Sequence, residues 1–184
     1  MDIIFDTPRL LLRRFTEQDA SLIFKLNSNP EVVKYVHERP FQHEEDATSL
    51  IRDIIIPQYT IQLGRWAVVL KENEEFIGWC GLKKLAAENI IDLGYRLRQE
   101  AWGQGYATEA ALFTLKYGFQ NINLDWVEGR VHVENIASQK VLEKIGMTYQ
   151  TEDFIDGCPV KIYKISSKFF YDFVKKGNNM RNTS

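Results

Sequence analysis

Residues 102–110, Trp-Gly-Gln-Gly-Tyr-Ala-Thr-Glu-Ala, place two glycines where an alternating apolar stretch gives way to an amphipathic run. Gly103 and Gly105 allow a backbone turn to bring its N–H groups close to a bound group. A helix starting just after them adds unpaired donors and a partial positive charge, a combination that suits a phosphate. Gly-x-Gly turns also occur for steric reasons alone, so the run gains meaning only beside a second segment, Asn135 to Met147. A dinucleotide-binding loop is excluded, because no third glycine stands at the required spacing and no early βαβ unit opens the chain. No Gly-Lys-Ser/Thr follows either, which excludes a Walker A loop.

The elements that must position this turn are legible from periodicity. Arg9 to Arg13 reads as a first strand, and Thr16-Glu17-Gln18-Asp19 as a helix start with a hydroxyl cap and an acid three residues on. Asn29-Pro30 breaks that helix, Glu31 to Val36 forms a short second one, and Glu44 to Tyr59 a third with Pro57 near its end. Arg65 to Lys71 and Phe76 to Leu82 are a second and third strand joined through Glu72 to Glu75. Asn89 to Leu97 is the fourth strand, Thr108 to Phe119 a helix, and Trp126 to Val133 the fifth strand. Ile136 to Ile145 is helical, Met147 to Phe154 extended, and Asp156-Gly157 a hairpin turn into a strand around Val160 to Ile165. Phe169, Phe170 and Phe173 mark a closing helical turn. The order is that of a mixed α/β domain over residues 1–174, followed by a loose polar tail over 175–184.

With 184 residues, 45% of them hydrophobic and 26% charged, the chain is long enough for a full core and ordinary for a soluble domain. Its net charge of −2 gives no general attraction to nucleic acid or membrane. A local basic patch is expected around the glycine turn from Lys83, Lys84, Arg96, Arg98 and Lys116. The apolar stretches are strand-sized and Asp2 and Asp6 interrupt the N-terminus, so neither a membrane span nor a signal peptide is expected. Cys80 and Cys158 lie far apart without metal-ligand spacing, which predicts reduced thiols, a cytoplasmic location and no metal.

Together these segments resemble the GNAT superfamily of CoA-dependent N-acetyltransferases, and within it the RimJ/RimL-like branch. Thr7-Pro8-Arg9-Leu10-Leu11-Leu12-Arg13-Arg14-Phe15 looks like that branch's first strand. Asp92-Leu93-Gly94-Tyr95 followed by Trp102 to Ala110 is similar to its acyl-CoA loop. Asn135-Ile136-Ala137-Ser138 with Val141 to Met147 is similar to its second cofactor segment. The resemblance implies a GNAT fold of class α/β (α+β): one mixed, mostly antiparallel sheet, splayed between strands four and five and flanked by helices. It implies acetyl-CoA as co-substrate, no metal, an amine acceptor, no nucleic-acid or membrane partner, and a monomer or homodimer.

By the same resemblance, the backbone of Tyr95, Arg96, Leu97 and Arg98 pairs with the pantetheine amides. The amides of Gly103, Gln104, Gly105, Tyr106, Ala107 and Thr108 hold the pyrophosphate. Asn135 binds pantetheine or caps its helix, and Lys144 reaches the adenosine phosphates or is a solvated helix lysine. Three positions depart from the family pattern. Trp102 stands where Arg or Gln is common, Met147 replaces Phe, and Leu142 occupies the place of a tyrosine general acid. The Ser138 hydroxyl then becomes the candidate acid.

Acetyl transfer needs a neutral amine, a donor to the thioester carbonyl and a proton for the departing thiolate. The N–H of Leu97 is the candidate donor. An α-amine, with a pKa of about 8, is partly neutral at cellular pH, whereas a lysine side chain at about 10.4 is almost entirely charged. Asp92 is the first candidate for the proton path, ahead of Glu109, Glu128, His132 and Glu134. His37 and His43 read as surface residues, while Tyr35, Phe41 and Tyr59 are expected to line the acceptor side with the Asp156-Gly157 hairpin. The acceptor implied first is a protein N-terminal α-amine, possible in a ribosomal protein. Second is a polyamine, amino sugar or antibiotic, and third is no acceptor at all, in a CoA-binding sensor without catalysis.

Overall fold

The computed structural model describes residues 2–36, 39–85 and 87–181. Eight strands form one sheet: β1 (Ile3–Asp6), β2 (Leu10–Arg13), β3 (Gly64–Leu70), β4 (Phe76–Leu85), β5 (Ile90–Leu97), β6 (Trp126–His132), β7 (Thr148–Ile155) and β8 (Cys158–Ser166). Their spatial order is β1-β2-β3-β4-β5-β6-β8-β7. All neighbours are antiparallel except β5 and β6, which run parallel and meet only where Asp92 faces Glu128. The mixed, splayed sheet expected from the sequence is therefore present, with the splay between the strands anticipated as fourth and fifth.

Alternation within the strands explains two apolar layers. Trp66 and Val68 of β3 join Leu10, Leu12, Cys80 and Leu82 against one face, while Ala67 and Trp79 turn to the other. Helix α1 (Ala20–Asn27), α2 (Pro30–Val33) and α3 (Glu44–Ser49) lie on that second side, where Ile23, Leu26, Ala47 and Ile51 are buried. The first side is covered by a 15-residue helix, Tyr106–Gln120, whose Ala110, Ala111, Leu115 and Phe119 form an apolar stripe. A helix at Ile136–Lys144 follows β6.

Four local expectations change. Ile3–Asp6, which the sequence reading left out, pairs with β2 because Phe5 packs its ring against Trp66 and Tyr117 at 5.7 and 5.5 Å. The helix expected over Glu44 to Tyr59 is one unbroken helical run whose winding changes, from α3 to a π-helical segment Leu50–Ile55, then α4 (Ile56–Gln58) and a 3-10 turn Tyr59–Ile61. Pro57 has no N–H and crowds the carbonyl one turn back, and a wider turn relieves that conflict. With α4 placed, the helix after the glycine turn is α5, that after β6 is α6, and the last is α7 (Ser167–Arg181). The latter replaces both the closing turn and most of the loose tail. Phe170, 2% exposed and 5.2 Å from Phe119, docks it into the core. His37 and residues 182–184 lie outside the described residues.

Asp19 ties the entry of α1 to the sheet. Its carboxylate accepts two bonds from Arg13, at 2.7 and 2.9 Å, and one from the Thr16 N–H at 2.9 Å. Burial alone would raise the Asp19 pKa, but the Arg13 and Thr16 hydrogen bonds outweigh it and hold the group below 3.8. A depressed carboxylate stabilises the fold above its unfolded pKa, and that stabilisation is lost as pH falls through the folded value. Asp19→Ala is expected to lose about 2 kcal/mol of unfolding free energy at pH 7. The gap to the unaltered protein should narrow at pH 3, read by urea denaturation at both pH values.

Candidate active site

Because β5 and β6 part after Asp92, a cleft opens between their C-terminal ends. It encloses about 520 Å³ and is walled by α2 and the residues after it, β5, the loop before α5, and α6. A second cavity of about 230 Å³ adjoins it, and Tyr35, Tyr95, Asn135 and Ser138 line both.

The edge of β5 facing the cleft can be assigned from its other side. Arg98 donates its N–H to the Ile77 carbonyl at 2.8 Å. Hydrogen bonding alternates along an antiparallel pair, so the N–H groups of Tyr95 and Leu97 sit on the opposite edge, toward β6. The Leu97 carbonyl already accepts from the Trp102 indole N–H at 2.9 Å. Trp102 thereby seals one end of the open edge, and its N–H partner explains why an aromatic serves beside the glycine turn. The phenol of Tyr95 donates to the Ser138 carbonyl at 3.3 Å, tying β5 to α6, and burial pushes its pKa upward.

The glycine turn lies where β5 hands over to α5. Gly103 and Gly105 have φ of 76° and 81°, and Gly105 is the residue from which α5 starts. A side chain at Gly103 would meet nothing within 4 Å, so the visible requirement is the left-handed backbone and not protein crowding. Tyr106, Ala107 and Thr108 start the helix along the cleft, where first-turn N–H groups have no intrahelical acceptor. Gln104 is turned away: its side chain donates to the Glu100 carbonyl and it is absent from the cleft wall among the described residues.

The basic residues divide differently from the expected patch. Arg96 is buried, donating to Asn27 at 2.6 Å, and Arg98 pairs with Glu75 at 2.7 Å. Arg96 borders both cavities, whereas Arg98 does not line the cleft. Lys144 does, together with Lys34 and Lys140, which the sequence reading missed. Residues 140 and 144 are one helical turn apart on one face of α6, a signal that spacing alone could have supplied.

Asn135 accepts the Ser138 N–H at 3.1 Å, so it is the cap of α6 and also a wall residue of both cavities. Asp92 lines the smaller cavity. Its Oδ1 is shut off from solvent and has no hydrogen-bond partner among the described residues. Burial pushes its pKa up to about 7, opposed by the charges of Arg130 and Lys83 and reinforced by Glu128. The other acids are either engaged or exposed. Glu128, 1% exposed, pairs with Arg130 at 2.8 Å and Lys164 at 3.1 Å. Glu109 is bound by Thr7 and Arg9, and Glu134 is exposed. His132 lines the smaller cavity, with Nδ1 accepting the Glu134 N–H at 3.2 Å and its ring 5.6 Å from Tyr35.

Of Tyr35, Phe41 and Tyr59, expected on the acceptor side, Tyr35 lines both cavities. The Tyr59 hydroxyl accepts from the Phe15 N–H and donates to the Arg65 carbonyl, at 2.9 and 2.7 Å, which makes it a structural bridge. Phe41 packs beside the α1–α3 core, and among the described residues the Asp156-Gly157 hairpin lines neither cavity. His43 is exposed at the start of α3, as expected.

A split parallel pair, a left-handed glycine turn and a lysine-rimmed cleft come together here, in the chain order that the resemblance implies. Residues 9–148 match the acetyltransferase (GNAT) domain family. The chain belongs to the GNAT acetyltransferases. It is 35% identical over 150 residues to the uncharacterized N-acetyltransferase p20 of Bacillus licheniformis, covering 81% of this chain and 83% of that protein. The fold is shared with RimL, a ribosomal L7/L12 α-N-protein acetyltransferase solved with coenzyme A, at TM-score 0.78 and 16% identity over 90% of this chain and 98% of that one. It is equally shared with a spermidine N-acetyltransferase of Vibrio cholerae solved with CoA and spermine, at TM-score 0.74 and 22% identity over 90% and 99% of the two chains. This GNAT protein is an acetyl-CoA-dependent N-acetyltransferase, and the RimL-like branch is one of several neighbours.

The open β5 edge, the donors of the glycine turn and the three lysines suit a ligand with amides at one end and phosphates at the other. A carboxylate at Gly103, a cleft residue whose side chain would meet no protein atom within 4 Å, should therefore weaken CoA binding by about thirtyfold or more, through repulsion at short range. Gly103→Ala separates out the left-handed strain, about 1 kcal/mol or more. Calorimetric titration with CoA checks both variants; equal affinity of Gly103→Glu and the unaltered protein would remove the turn from the binding site.

Proposed function

We propose that this acetyltransferase acts on the free α-amine of a peptide or protein, with Asp92 drawing off the amine proton. The pairing of a desolvated carboxyl near pKa 7 with the acceptor cavity carries this reading. Such a group is matched to an α-ammonium of pKa about 8 and poorly matched to a lysine side chain at about 10.4. Neighbours of the same fold take protein and polyamine acceptors, so the fold alone does not choose between them.

Acetyl-CoA supplies an activated acetyl thioester, held in this reading by the β5 edge, the amides of residues 103–108, Asn135 and Lys144. Leu97 directs its N–H at the carbonyl oxygen and stabilises the charge that develops there. The neutral amine nitrogen bonds to the carbonyl carbon, the carbon–sulfur bond breaks, and the amine proton passes toward Asp92. Ser138, present in both cavities, donates to the departing thiolate. Leu142 is buried beside it and offers no donor.

Thiol release across an acceptor panel tests the assignment. Peptides with a free α-amine should exceed spermidine in kcat/KM by about tenfold or more, because an amine of pKa about 8 is neutral at pH 7 far more often than one near 10.4. Preference for spermidine, or for lysine in a blocked peptide, would overturn it. An ionised base is required, so kcat/KM should rise with pH through about 7. Asp92→Asn should lose that limb and retain only the amine's own titration near pH 8. Ser138→Ala should lower kcat about tenfold to a hundredfold with little change in the KM for acetyl-CoA.

A further inference from the structure

Arg9 stands in the turn between β1 and β2, far in sequence from the glycine turn, yet it grips that turn from behind. Its backbone N–H and Nε reach the two carboxylate oxygens of Glu109 at 2.9 and 2.7 Å, and Nη1 donates to the Gln104 carbonyl at 3.0 Å. The guanidinium lies 4.5 Å above the Tyr106 ring, and Nη2 is 3.5 Å from where a side chain on Gly105 would begin. Thr7 donates its hydroxyl to the same Glu109 carboxylate at 2.6 Å.

We propose that Arg9 is a positioning residue for acetyl-CoA, fixing the direction of the Gly105 N–H and neutralising Glu109 behind the phosphate-binding turn. The proposal rests on the assignment of the Gly103–Gly105 turn to the pyrophosphate. Two arguments support it. A trans peptide holds its C=O and N–H on opposite sides. Pinning the Gln104 carbonyl toward Arg9 therefore points the Gly105 N–H away from Arg9, and Gly105 is a wall residue of the cleft. The second argument is electrostatic. Glu109 lies in the first turn of α5, where a carboxylate favours the helix but repels a bound anion. Its side chain is 13% exposed, so solvent screens it poorly. Arg9 cancels that charge while adding donors of its own to the outer side of the turn.

The test measures KM for acetyl-CoA, kcat and CoA affinity in Arg9→Ala, Arg9→Lys and the double variant Arg9→Ala with Glu109→Gln, alongside thermal melting. Arg9→Ala should raise KM and Kd about tenfold while kcat stays within about threefold. Removing the uncompensated carboxylate in the double variant should recover most of that loss, although it deletes a further side-chain contact. A purely structural role predicts the reverse, with the double variant as weak as Arg9→Ala or weaker, and that result would overturn the proposal. Arg9→Lys keeps the charge and loses the fork, so a rise of about threefold is expected. If Arg9→Ala does not fold, an unchanged KM in Arg9→Lys overturns the proposal. Gly103→Glu, whose side chain starts clear of Arg9, separates the two levels: unaltered CoA affinity there defeats the turn assignment, whereas lost affinity with an unaffected Arg9→Ala defeats only the role of Arg9.

Discussion

The parallel contact between β5 and β6 begins and ends at Asp92 and Glu128, and that truncated pairing is the constraint on which the site depends. A sheet that stops pairing in its interior leaves backbone donors and acceptors without partners, which costs free energy wherever water is excluded. The fold tolerates it because each strand is secured on its other edge, β5 along Ile90–Leu97 by β4 and β6 along Trp126–His132 by β8. Side chains then hold the gap open: Tyr95 bonds to α6, the Trp102 indole occupies the Leu97 carbonyl, and Arg130 ties β6 to Glu88 in the β4–β5 turn. Beyond Asp92 the inner edge of β5 has no β6 partner among the described residues, and in the proposed reading a ligand completes it as an added strand would.

The same truncation determines where charge is placed. Beyond the last paired residue, β5 runs into the glycine turn, and the start of α5 faces the cleft beside Lys34, Lys140 and Lys144. At the paired end, Asp92 is enclosed between strands with Arg130, Lys83 and Glu128 as its charged surroundings. One end of the opening thus favours anions, while the other keeps a carboxyl group close to neutrality. Tyr95, Asn135 and Ser138 border both cavities, so a thioester and an amine entering from opposite ends would meet at these residues.

What could be read in the sequence was local. The Asp156-Gly157 hairpin, the α5 stripe and the Thr16–Asp19 helix start depend on residues a few positions apart, and each formed as spacing indicates. The glycine turn and Asn135 were legible for the same reason. Arg9 and Glu109 are 100 residues apart, and no periodicity connects them. Tyr59 shows the limit from the other side. An aromatic near the end of an apolar helix suggests a pocket wall, yet its hydroxyl joins Phe15 to Arg65 in the interior. Asp92 was singled out by resemblance, but its raised pKa follows from burial that only the splayed sheet produces.

The leucine at 142 bears on how the proposed chemistry closes. A tyrosine at that place would offer a phenolic proton; Leu142 is buried and apolar, and it borders the same cavity as Asp92. A serine hydroxyl is a strong hydrogen-bond donor but far too weak an acid to protonate a thiolate outright. Asp92 does not share that limit. Once it has taken the amine proton, a carboxylic acid near pKa 7 can release it to a thiolate whose conjugate acid lies at about 8.5, a transfer that runs downhill. In the proposed mechanism an apolar residue at 142 and a desolvated Asp92 are then complementary features of one cavity. The carboxyl that would receive the proton from the amine would also be an acid strong enough to return it to the leaving group, with Ser138 holding the thiolate.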